Sequence, residues 1–188
     1  SESSFDSDYV FMNALVSMYG KCGSVEDALT IFKIMQNRTI VTWTALLASY
    51  AQHGNGQGAI QLFRQMHHEG FEANEISFVS VISACSHTGL VLEGCYYFSS
   101  MFQDFGIMPI AIHYSCMMDL FGRTGKLGIA ANIIDQMPFQ PDSDEWYTFL
   151  CACKSQGDVR RGKRAAEHVL ELYPKHSAAY VSLSNIYA

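Results

Sequence analysis

The residues of this chain that could carry out chemistry by themselves are its cysteines and histidines. The 188 residues include six cysteines and seven histidines, side chains that commonly bind metals or act in catalysis. Cys151 and Cys153 form a close pair, but on a helix two residues that are two positions apart point to different faces. We interpret the adjacent His67 and His68 as a solvated surface pair. With no phosphate-binding glycine loop and no nucleophile triad, we predict no metal site, no cofactor and no enzymatic activity.

Composition narrows the remaining classes of function. The net charge is -6, which argues against indiscriminate binding of nucleic acid, because neutralising phosphates requires many Lys and Arg residues. The sequence has no run of 18 apolar residues, so we predict no membrane span and no membrane partner. The cysteines fall mostly in apolar helical stretches, and we expect free, reduced thiols rather than disulfides. Five basic residues cluster late in the chain: Lys154, Arg160, Arg161, Lys163 and Arg164.

The elements that position these residues form a repeat. Between Ile40 and Asn74, apolar residues recur at helical spacing on both sides of a break at Gly54–Gly56, which predicts a helical hairpin. Alignment on the glycine between the helices gives Gly23, Gly54, Gly89, Gly125 and Gly157. Alignment on the second helix gives Phe32-x-x-Met35, Phe63-x-x-Met66, Phe98-x-x-Met101 and Ile134-x-x-Met137. Both alignments advance by 31, 35 and then 36 residues, and this shared irregular step indicates a repeat array.

One hairpin alone would leave apolar surface in water, so the array is predicted to stack its hairpins into an all-α, right-handed α-solenoid. We predict a disordered lead over residues 1–8, hairpins at 9–39, 40–74, 75–110, 111–142 and 143–176, and the first helix of another hairpin at 177–188. Ser24 and Asp158 are expected to cap the second helices of the first and fifth hairpins. Because Tyr180, Leu183 and Ile186 form an apolar stripe on the last helix, we expect the chain to be part of something longer.

Several short motifs resemble plant pentatricopeptide repeat (PPR) proteins. They are Met18-Tyr19-Gly20-Lys21-Cys22-Gly23, Thr42-Trp43-Thr44-Ala45-Leu46, Ser83-Ala84-Cys85-Ser86-His87 and Asp119-Leu120-Phe121-Gly122-Arg123-Thr124-Gly125. The unequal unit lengths resemble the PLS subclass, which would make the first four hairpins short, standard, long and short PPR repeats. The hairpin from Ser143 resembles the E-type motif, related to tetratricopeptide hairpins, that follows the last repeat. The resemblance extends from about Tyr9 to Ala188.

In this family each repeat reads one base of single-stranded RNA, a recognised example of a protein code for RNA. The resemblance places the reading residues at the fifth and last positions of each repeat: Asn13 with Thr39, Thr44 with Asn74, Val79 with Ile110, and Ser115 with Asp142. It implies a pyrimidine for the first pair, adenine for the second and guanine for the fourth. Val79 and Ile110 cannot hydrogen-bond through their side chains, so the third repeat is expected to read no base in this way.

The resemblance also implies contacts with the rest of each nucleotide. The second residue of each repeat is expected to wedge between stacked bases: Val10, Val41, Ile76 and Ile112. Lys21 and Arg123 match a position that contacts phosphate in related repeats. Simpler roles remain open at all of these sites, because Thr44 or Ser115 near a helix start could be a cap or a solvated residue, and the aliphatic residues could belong to the core.

Proteins with an E-type ending commonly act in organellar C-to-U RNA editing. The resemblance therefore implies a chloroplast or mitochondrial protein that selects the RNA, with residues 143–188 docking an editing deaminase or accessory factor. A zinc deaminase needs His-x-Glu together with Pro-Cys-x-x-Cys, and this combination is not found in the sequence. The alternative is a protein-interaction solenoid that binds peptides or self-associates through its C-terminal end.

Overall fold

The computed structural model describes the backbone of residues 2–187 and the side chains of residues 9–187. Over this range the chain contains α-helices and no strand, which confirms the all-α prediction. The helices are α1 Glu2–Lys21, α2 Val25–Ile34, α3 Ile40–Gln52, α4 Gly56–His68, α5 Glu75–Thr88, α6 Val91–Gln103, α7 Ala111–Arg123, α8 Leu127–Asp135, α9 Ser143–Ser155, α10 Val159–Leu172 and α11 Ser177–Tyr187. None of these helices is both long enough and apolar enough to cross a bilayer.

Consecutive helices pair into five hairpins, and α11 packs against α9 and α10. The helices α3, α5, α7, α9 and α11 begin at residues 40, 75, 111, 143 and 177, where the predicted units begin. The first helix differs from the prediction, because α1 begins at Glu2, within the stretch expected to be disordered. Residues 2–8 contain no glycine or proline, so no helix breaker prevents α1 from extending past Tyr9. Ser1 lies outside the described residues.

Each hairpin turns at a glycine in the left-handed region. The five inter-helix glycines have φ between 67° and 88°, a conformation that is strained for a residue with a Cβ atom. At the end of α5, the N–H of Leu90 donates to the carbonyl of Cys85 at 2.9 Å and closes the last turn around Gly89. The glycines that define the repeat in the sequence therefore terminate the first helix of each hairpin.

The aromatic residues of the second helices join neighbouring hairpins into one core. The ring of Phe32 contacts Trp43 of the next hairpin edge to face, with 4.6 Å between ring centroids. Phe63 contacts Phe78 of the following hairpin in the same way at 5.1 Å. All four side chains are at most 3% exposed, so each second helix covers the apolar side of its own partner and of the next first helix.

The pattern of contacts between helices makes the array curve. Along the described chain, the backbones of the first helices α1, α3, α5, α7 and α9 each approach that of the next first helix closely, whereas the second helices meet one another only through side chains, as Phe63 of α4 meets Tyr97 of α6. Closer packing in one layer than in the other places the first helices on the inner, concave side. We call the solvent-exposed, concave surface of these five helices the first-helix face.

The two predicted helix caps have different outcomes. The Oδ1 of Asp158 accepts the backbone N–H of Arg161 at 2.9 Å, which confirms this residue as the cap of α10. Ser24 makes no side-chain cap bond, so that prediction is wrong. The two residues share a similar backbone conformation, with φ -86° and ψ 65° at Ser24 and φ -83° and ψ 85° at Asp158. The longer carboxylate reaches the helix from there, whereas the shorter hydroxyl does not.

The terminal stripe is more covered than the sequence suggested. Tyr180 is exposed, but Leu183 and Ile186 are half-buried against the core. Ile186 packs beside Gly162 of α10, because the missing side chain of the glycine leaves room for its methyl group. The stripe therefore belongs partly to the fold of the fifth hairpin.

The six cysteines are free thiols, as predicted, but they are not all buried. Cys22 and Cys151 are exposed, and the other four are buried or half-buried. Burial raises the pKa of Cys85, Cys116 and Cys153 to about 12. These three thiols are protonated at neutral pH and therefore act as small apolar side chains.

Candidate nucleic-acid interface

A capping motif recurs at the starts of the first helices α3, α5, α7 and α9. The last residue of a unit is the N-cap of the next first helix, and the third residue of the next unit bonds back to the N–H of that cap. The caps that use a side-chain oxygen are Thr39, Asn74 and Asp142. The third residues that complete the motif are buried: Thr42, Ser77, His113 and Glu145. This motif fixes the position of every predicted last-position reader.

The third unit builds the same motif without a polar cap. Ile110 has no polar side-chain atom, but its N–H donates to Nδ1 of the buried His113 at 3.2 Å. Nε2 of His113 donates to the carbonyl of Glu75 at 3.0 Å, which ties α7 to the start of α5. His113 was not among the residues predicted from the sequence. A polar residue at the third position of each of the four units starting at 40, 75, 111 and 143 was the signal that could have identified it.

Asn74 presents a hydrogen-bond donor at the start of α5. Its Oδ1 accepts both the N–H of Ser77 at 3.0 Å and the Ser77 hydroxyl at 2.8 Å. These two bonds fix the orientation of the amide and leave Nδ2 without a protein partner among the described residues. A cavity of about 420 Å³ adjoins Asn74 and is also lined by Ile76 and by the loop residues Gly106 to Met108. The site can therefore donate a hydrogen bond to an acceptor atom of a ligand.

Thr44, the predicted partner of Asn74, is buried and bonds to its own helix. It is 8% exposed, and its hydroxyl lies 2.9 Å from the carbonyl of Ile40 and 3.1 Å from that of Val41. The hydroxyl proton is thus shared between two carbonyls of its own helix. The Thr44 proton is therefore occupied within its own helix, and Asn74 is the donor of the pair.

The first predicted pair is joined through a residue of the second repeat. The Thr42 hydroxyl donates to Oδ1 of Asn13 at 2.5 Å and accepts the N–H of Thr39 at 3.0 Å. The structure therefore brings Asn13 and Thr39 to the same threonine. As at Asn74, the occupied amide oxygen leaves the Nδ2 of Asn13 as the group that can bind a base.

The fourth predicted pair combines a hydroxyl with a carboxylate. Ser115 is half-buried and lines a cavity of about 300 Å³ between α5, α7 and α9. Asp142 accepts the N–H of Asp144 at 2.8 Å. A side-chain hydrogen bond with Glu145 and this backbone bond lower the pKa of Asp142. Its carboxylate is therefore ionised at neutral pH and can only accept hydrogen bonds.

The pKa of Glu145 is shifted in the opposite direction from that of Asp142. Burial, together with its hydrogen bond to Asp142, raises the pKa of Glu145. While Glu145 is protonated it can donate to the ionised Asp142, and its Oε2 accepts the Asp142 N–H at 2.9 Å. The pair thus holds Asp142 in place as a charged acceptor.

The predicted wedge residues do not belong to the core. Each is the second residue of its predicted repeat, and their exposed fractions are 57%, 58%, 61% and 49% for Val10, Val41, Ile76 and Ile112. The burial alternative that the sequence left open is therefore excluded. Four exposed aliphatic side chains instead recur once per repeat, and in α3, α5 and α7 they lie in the first helical turn.

The two predicted phosphate contacts lie at the opposite ends of these helices. Lys21 and Arg123 are in the last turns of α1 and α7, and both are exposed. Arg123 donates to Oδ2 of Asp119 at 2.8 Å, and the same oxygen accepts the Ser86 hydroxyl at 2.7 Å. Arg123 is therefore already paired with a carboxylate on the first-helix face. The i,i+4 spacing of the two residues is a signal in the sequence that could have revealed this pair.

The sequence His67-His68-Glu69 has the His-x-Glu spacing of zinc deaminases, but its environment is that of a surface network. Glu69 accepts a hydrogen bond from Gln65 at 2.8 Å and forms an ion pair with Arg38 at 3.3 Å. Among the described side chains, no group of three His, Cys, Asp or Glu residues could hold a metal ion.

Sequence profiles of known protein families match the repeats. The sequence profile of the PPR repeat family matches residues 38–87, and the profile of the PPR repeat matches residues 10–40, 76–104 and 112–139. These matches together cover more than half of the chain. They include the four hairpins to which the base-reading residues were assigned.

Relatives from Arabidopsis thaliana match nearly the whole chain. A chloroplastic pentatricopeptide repeat-containing protein is 47% identical over 176 residues, covering 94% of this chain and 21% of the relative. A mitochondrial one is 44% identical over 184 residues, covering 98% of this chain and 29% of the relative. The chain thus spans about a fifth to somewhat over a quarter of these relatives. Their names place them in the two organelles that the resemblance predicted.

Solved structures confirm the α-solenoid fold. The maize pentatricopeptide repeat protein PPR10 matches with a TM-score of 0.78 and 23% identity over 93% of this chain and 26% of that one. The same protein in complex with an 18-nucleotide psaJ RNA element matches with a TM-score of 0.68 and 22% identity over 94% and 25%. Repeat profiles, relatives and fold agree, and the chain belongs to the pentatricopeptide repeat family of plant proteins.

Proposed function

We propose that this chain binds single-stranded RNA along its first-helix face, with one base at each repeat, in a chloroplast or mitochondrion. The observation that carries the proposal is the free amide donor of Asn74, which two capping bonds hold in a fixed orientation at a cavity. A fixed donor beside a cavity suits recognition of a base edge, because its orientation costs little entropy on binding. The maize relative in complex with RNA supports the choice of ligand.

The chemistry of the caps suggests which base each repeat prefers. The Nδ2 of Asn74 can donate to N1 of adenine, an acceptor on its Watson–Crick edge. The ionised Asp142 can accept from N1–H and N2–H of guanine, and Ser115 lies on the same face. Asn13 is assigned to a pyrimidine, and Val79 with Ile110 to any base. Each pair then selects by matching donors to acceptors.

The remaining contacts would hold the RNA strand in register. Val10, Val41, Ile76 and Ile112 project far enough to insert between neighbouring bases, so each base would stack between the aliphatic side chains of two repeats. Lys21 and Arg123 would contact phosphates at the other end of the first helices. With a net charge of -6, the fragment is expected to bind weakly except at low salt.

At a finer level, we propose that the chain is the RNA-selecting part of a PLS-subclass factor for organellar C-to-U editing, with no enzymatic activity of its own. Residues 143–188 would dock a deaminase or accessory protein. A cavity of about 320 Å³ supports this role, because it combines Ala131 and Phe149 with Arg160, Arg161 and Arg164. An apolar floor beside guanidinium groups suits a partner that presents apolar and acidic side chains together.

A reciprocal exchange of the caps tests base reading. In Asn74→Asp the cap oxygen is retained, but the group that faces the base changes from a donor to an acceptor. We expect the preference at the second repeat to change from adenine to guanine, and Asp142→Asn to produce the reverse change at the fourth repeat. Thr44→Asn should shift the second repeat toward a pyrimidine. Anisotropy titrations at low salt with RNAs that differ at a single position measure each preference.

The base preferences of these variants distinguish RNA base reading from the alternative of a protein-interaction solenoid. Because Asp and Asn are nearly equal in size and both cap helices well, a change in base preference at unchanged helicity would be due to the base-facing atom. Unchanged preferences in both variants would contradict base reading. A stable dimer without RNA binding would favour the interaction solenoid, which the exposed Tyr180, Val181 and Tyr187 of α11 could support.

A further inference from the structure

The fifth hairpin places two aromatic rings where the repeats place their base-reading pair. Tyr147 is the fifth residue of this unit, and His176 is its last residue, immediately before α11. The Nδ1 of His176 accepts the N–H of Ala179 at 3.2 Å, so His176 caps α11 as Asn74 caps α5. The rings of Tyr147 and His176 have centroids 4.6 Å apart and planes tilted by 37°.

This ring pair is open to the same face as the repeats. Both side chains are half-buried rather than enclosed, and Tyr147 lines the cavity of about 300 Å³ that also contains Ser115 of the fourth repeat. The hairpin thus continues the first-helix face beyond the base assigned to Ser115 and Asp142.

The rest of the hairpin keeps part of the repeat pattern and changes part of it. Lys154 is exposed in the last turn of α9, as Lys21 and Arg123 are in the last turns of α1 and α7. At the second position, however, the exposed aliphatic residue is replaced by Asp144. A carboxylate cannot wedge between bases, so stacking on this hairpin depends on the two rings.

We propose that the fifth hairpin binds one further nucleotide of the RNA by stacking its base on Tyr147 and His176. This inference rests on the proposed RNA-binding function. The ring nitrogen Nδ1 of His176 is occupied by the cap, and the ring faces that are not turned toward each other offer a surface on which a base can stack. Because every base has a π face, this contact adds affinity without selecting among the four bases.

The length of the bound RNA tests the inference. The reference RNA has one nucleotide for each of the four repeats, and it is compared with RNAs that carry one more nucleotide at either end. Stacking of a base on aromatic side chains is expected to tighten binding by about 5-fold or more for one of the two extensions. All four bases should give the same gain at that position, and an abasic nucleotide should give none.

Matched variants identify the rings as the cause. Tyr147→Leu should lose the gain from the extra base, whereas Tyr147→Phe, which retains the ring, should keep it. Tyr180→Leu is the control, because Tyr180 is an exposed tyrosine of the same hairpin end that lies on α11 with its hydroxyl bonded to the carbonyl of Pro174 at 3.3 Å. Circular dichroism checks that each variant keeps its helices.

The results distinguish this inference from the function on which it rests. A gain from the abasic nucleotide equal to that from a base, or a gain that survives in Tyr147→Leu, would overturn the stacking proposal while adenine preference at Asn74 remained. Absence of binding by every RNA at low salt would overturn the RNA-binding proposal and this inference together.

Discussion

Gly122 controls how closely α7 and α9 approach, and replacing it should separate the two helices. A Cβ atom on Gly122 would lie 2.4 Å from the Cβ of Ala152 and 3.4 Å from its Cα. Two carbon atoms pack best at about 3.5–4.0 Å, so Gly122→Ala requires a shift of roughly 1 Å or more. Neither atom of Ala152 is the end of a flexible side chain, and relief therefore requires movement of a helix.

The size of the effect follows from two opposing contributions. Overpacking of this kind costs about 1–3 kcal/mol, and the better helix propensity of alanine offsets about 0.8–1 kcal/mol of that cost. We expect a net loss of about 1 kcal/mol, toward 2 kcal/mol if the helices resist movement. For a chain of this size, that loss corresponds to a fall of roughly 2–8 °C in Tm. Thermal unfolding followed by circular dichroism measures it.

Gly128→Ala is the matched control. Gly128 is within α8, and a Cβ atom there meets no atom within 4 Å, so alanine should raise stability by about 0.4–1 kcal/mol. Adding Ala152→Gly to Gly122→Ala moves the methyl group to the other helix and should restore most of the lost stability. If Gly122→Ala were as stable as Gly128→Ala, the reasoning about helix approach would be refuted.

Two further predictions concern charge. Glu145→Gln keeps both an acceptor for the Asp142 N–H and a donor for the Asp142 carboxylate. Because folding raises the pKa of Glu145, the wild type should lose stability as the pH rises above the ordinary glutamate pKa of about 4.3 and through the raised pKa. The variant should not show this loss. Parallel Tm curves for the two proteins between pH 4 and 8 would contradict this. Asp119→Asn should release Arg123 and tighten RNA binding, with a salt slope steeper by about 0.7 for one added phosphate contact. Glu171→Gln, a change of equal charge on α10, should leave the slope unchanged in the same titration.

The sequence was sufficient to predict the helical framework because its signals are local. Glycine can adopt the left-handed turn between helices without strain, and buried residues such as Phe63 and Met66 follow from the apolar spacing of the second helix. Once these two landmarks set the repeat length, the starts of α3 and α5 at residues 40 and 75 follow from the register.

The predictions that failed or were incomplete depend on contacts that are distant in sequence or on small differences in reach. The burial of Ile186 depends on Gly162 in another helix, and the failure of the Ser24 cap depends on the length of one side chain. The hydroxyl of Thr44 could bond either to its own helix or to a ligand, and helical periodicity does not predict which of the two partners it binds. The ring contact between Tyr147 and His176 joins residues 29 positions apart, which no local pattern in the sequence indicates.

The central claim is that the capped asparagine of the second repeat reads a base. The most direct measurement is fluorescence anisotropy at low salt with four RNAs that differ only at the base facing Thr44 and Asn74, while a pyrimidine, any base and guanine face the first, third and fourth repeats. We predict the tightest binding for adenine and loss of that preference in the double variant Thr44→Val, Asn74→Val with unchanged helicity. Equal binding of the four RNAs by the wild-type chain would contradict base reading at this repeat.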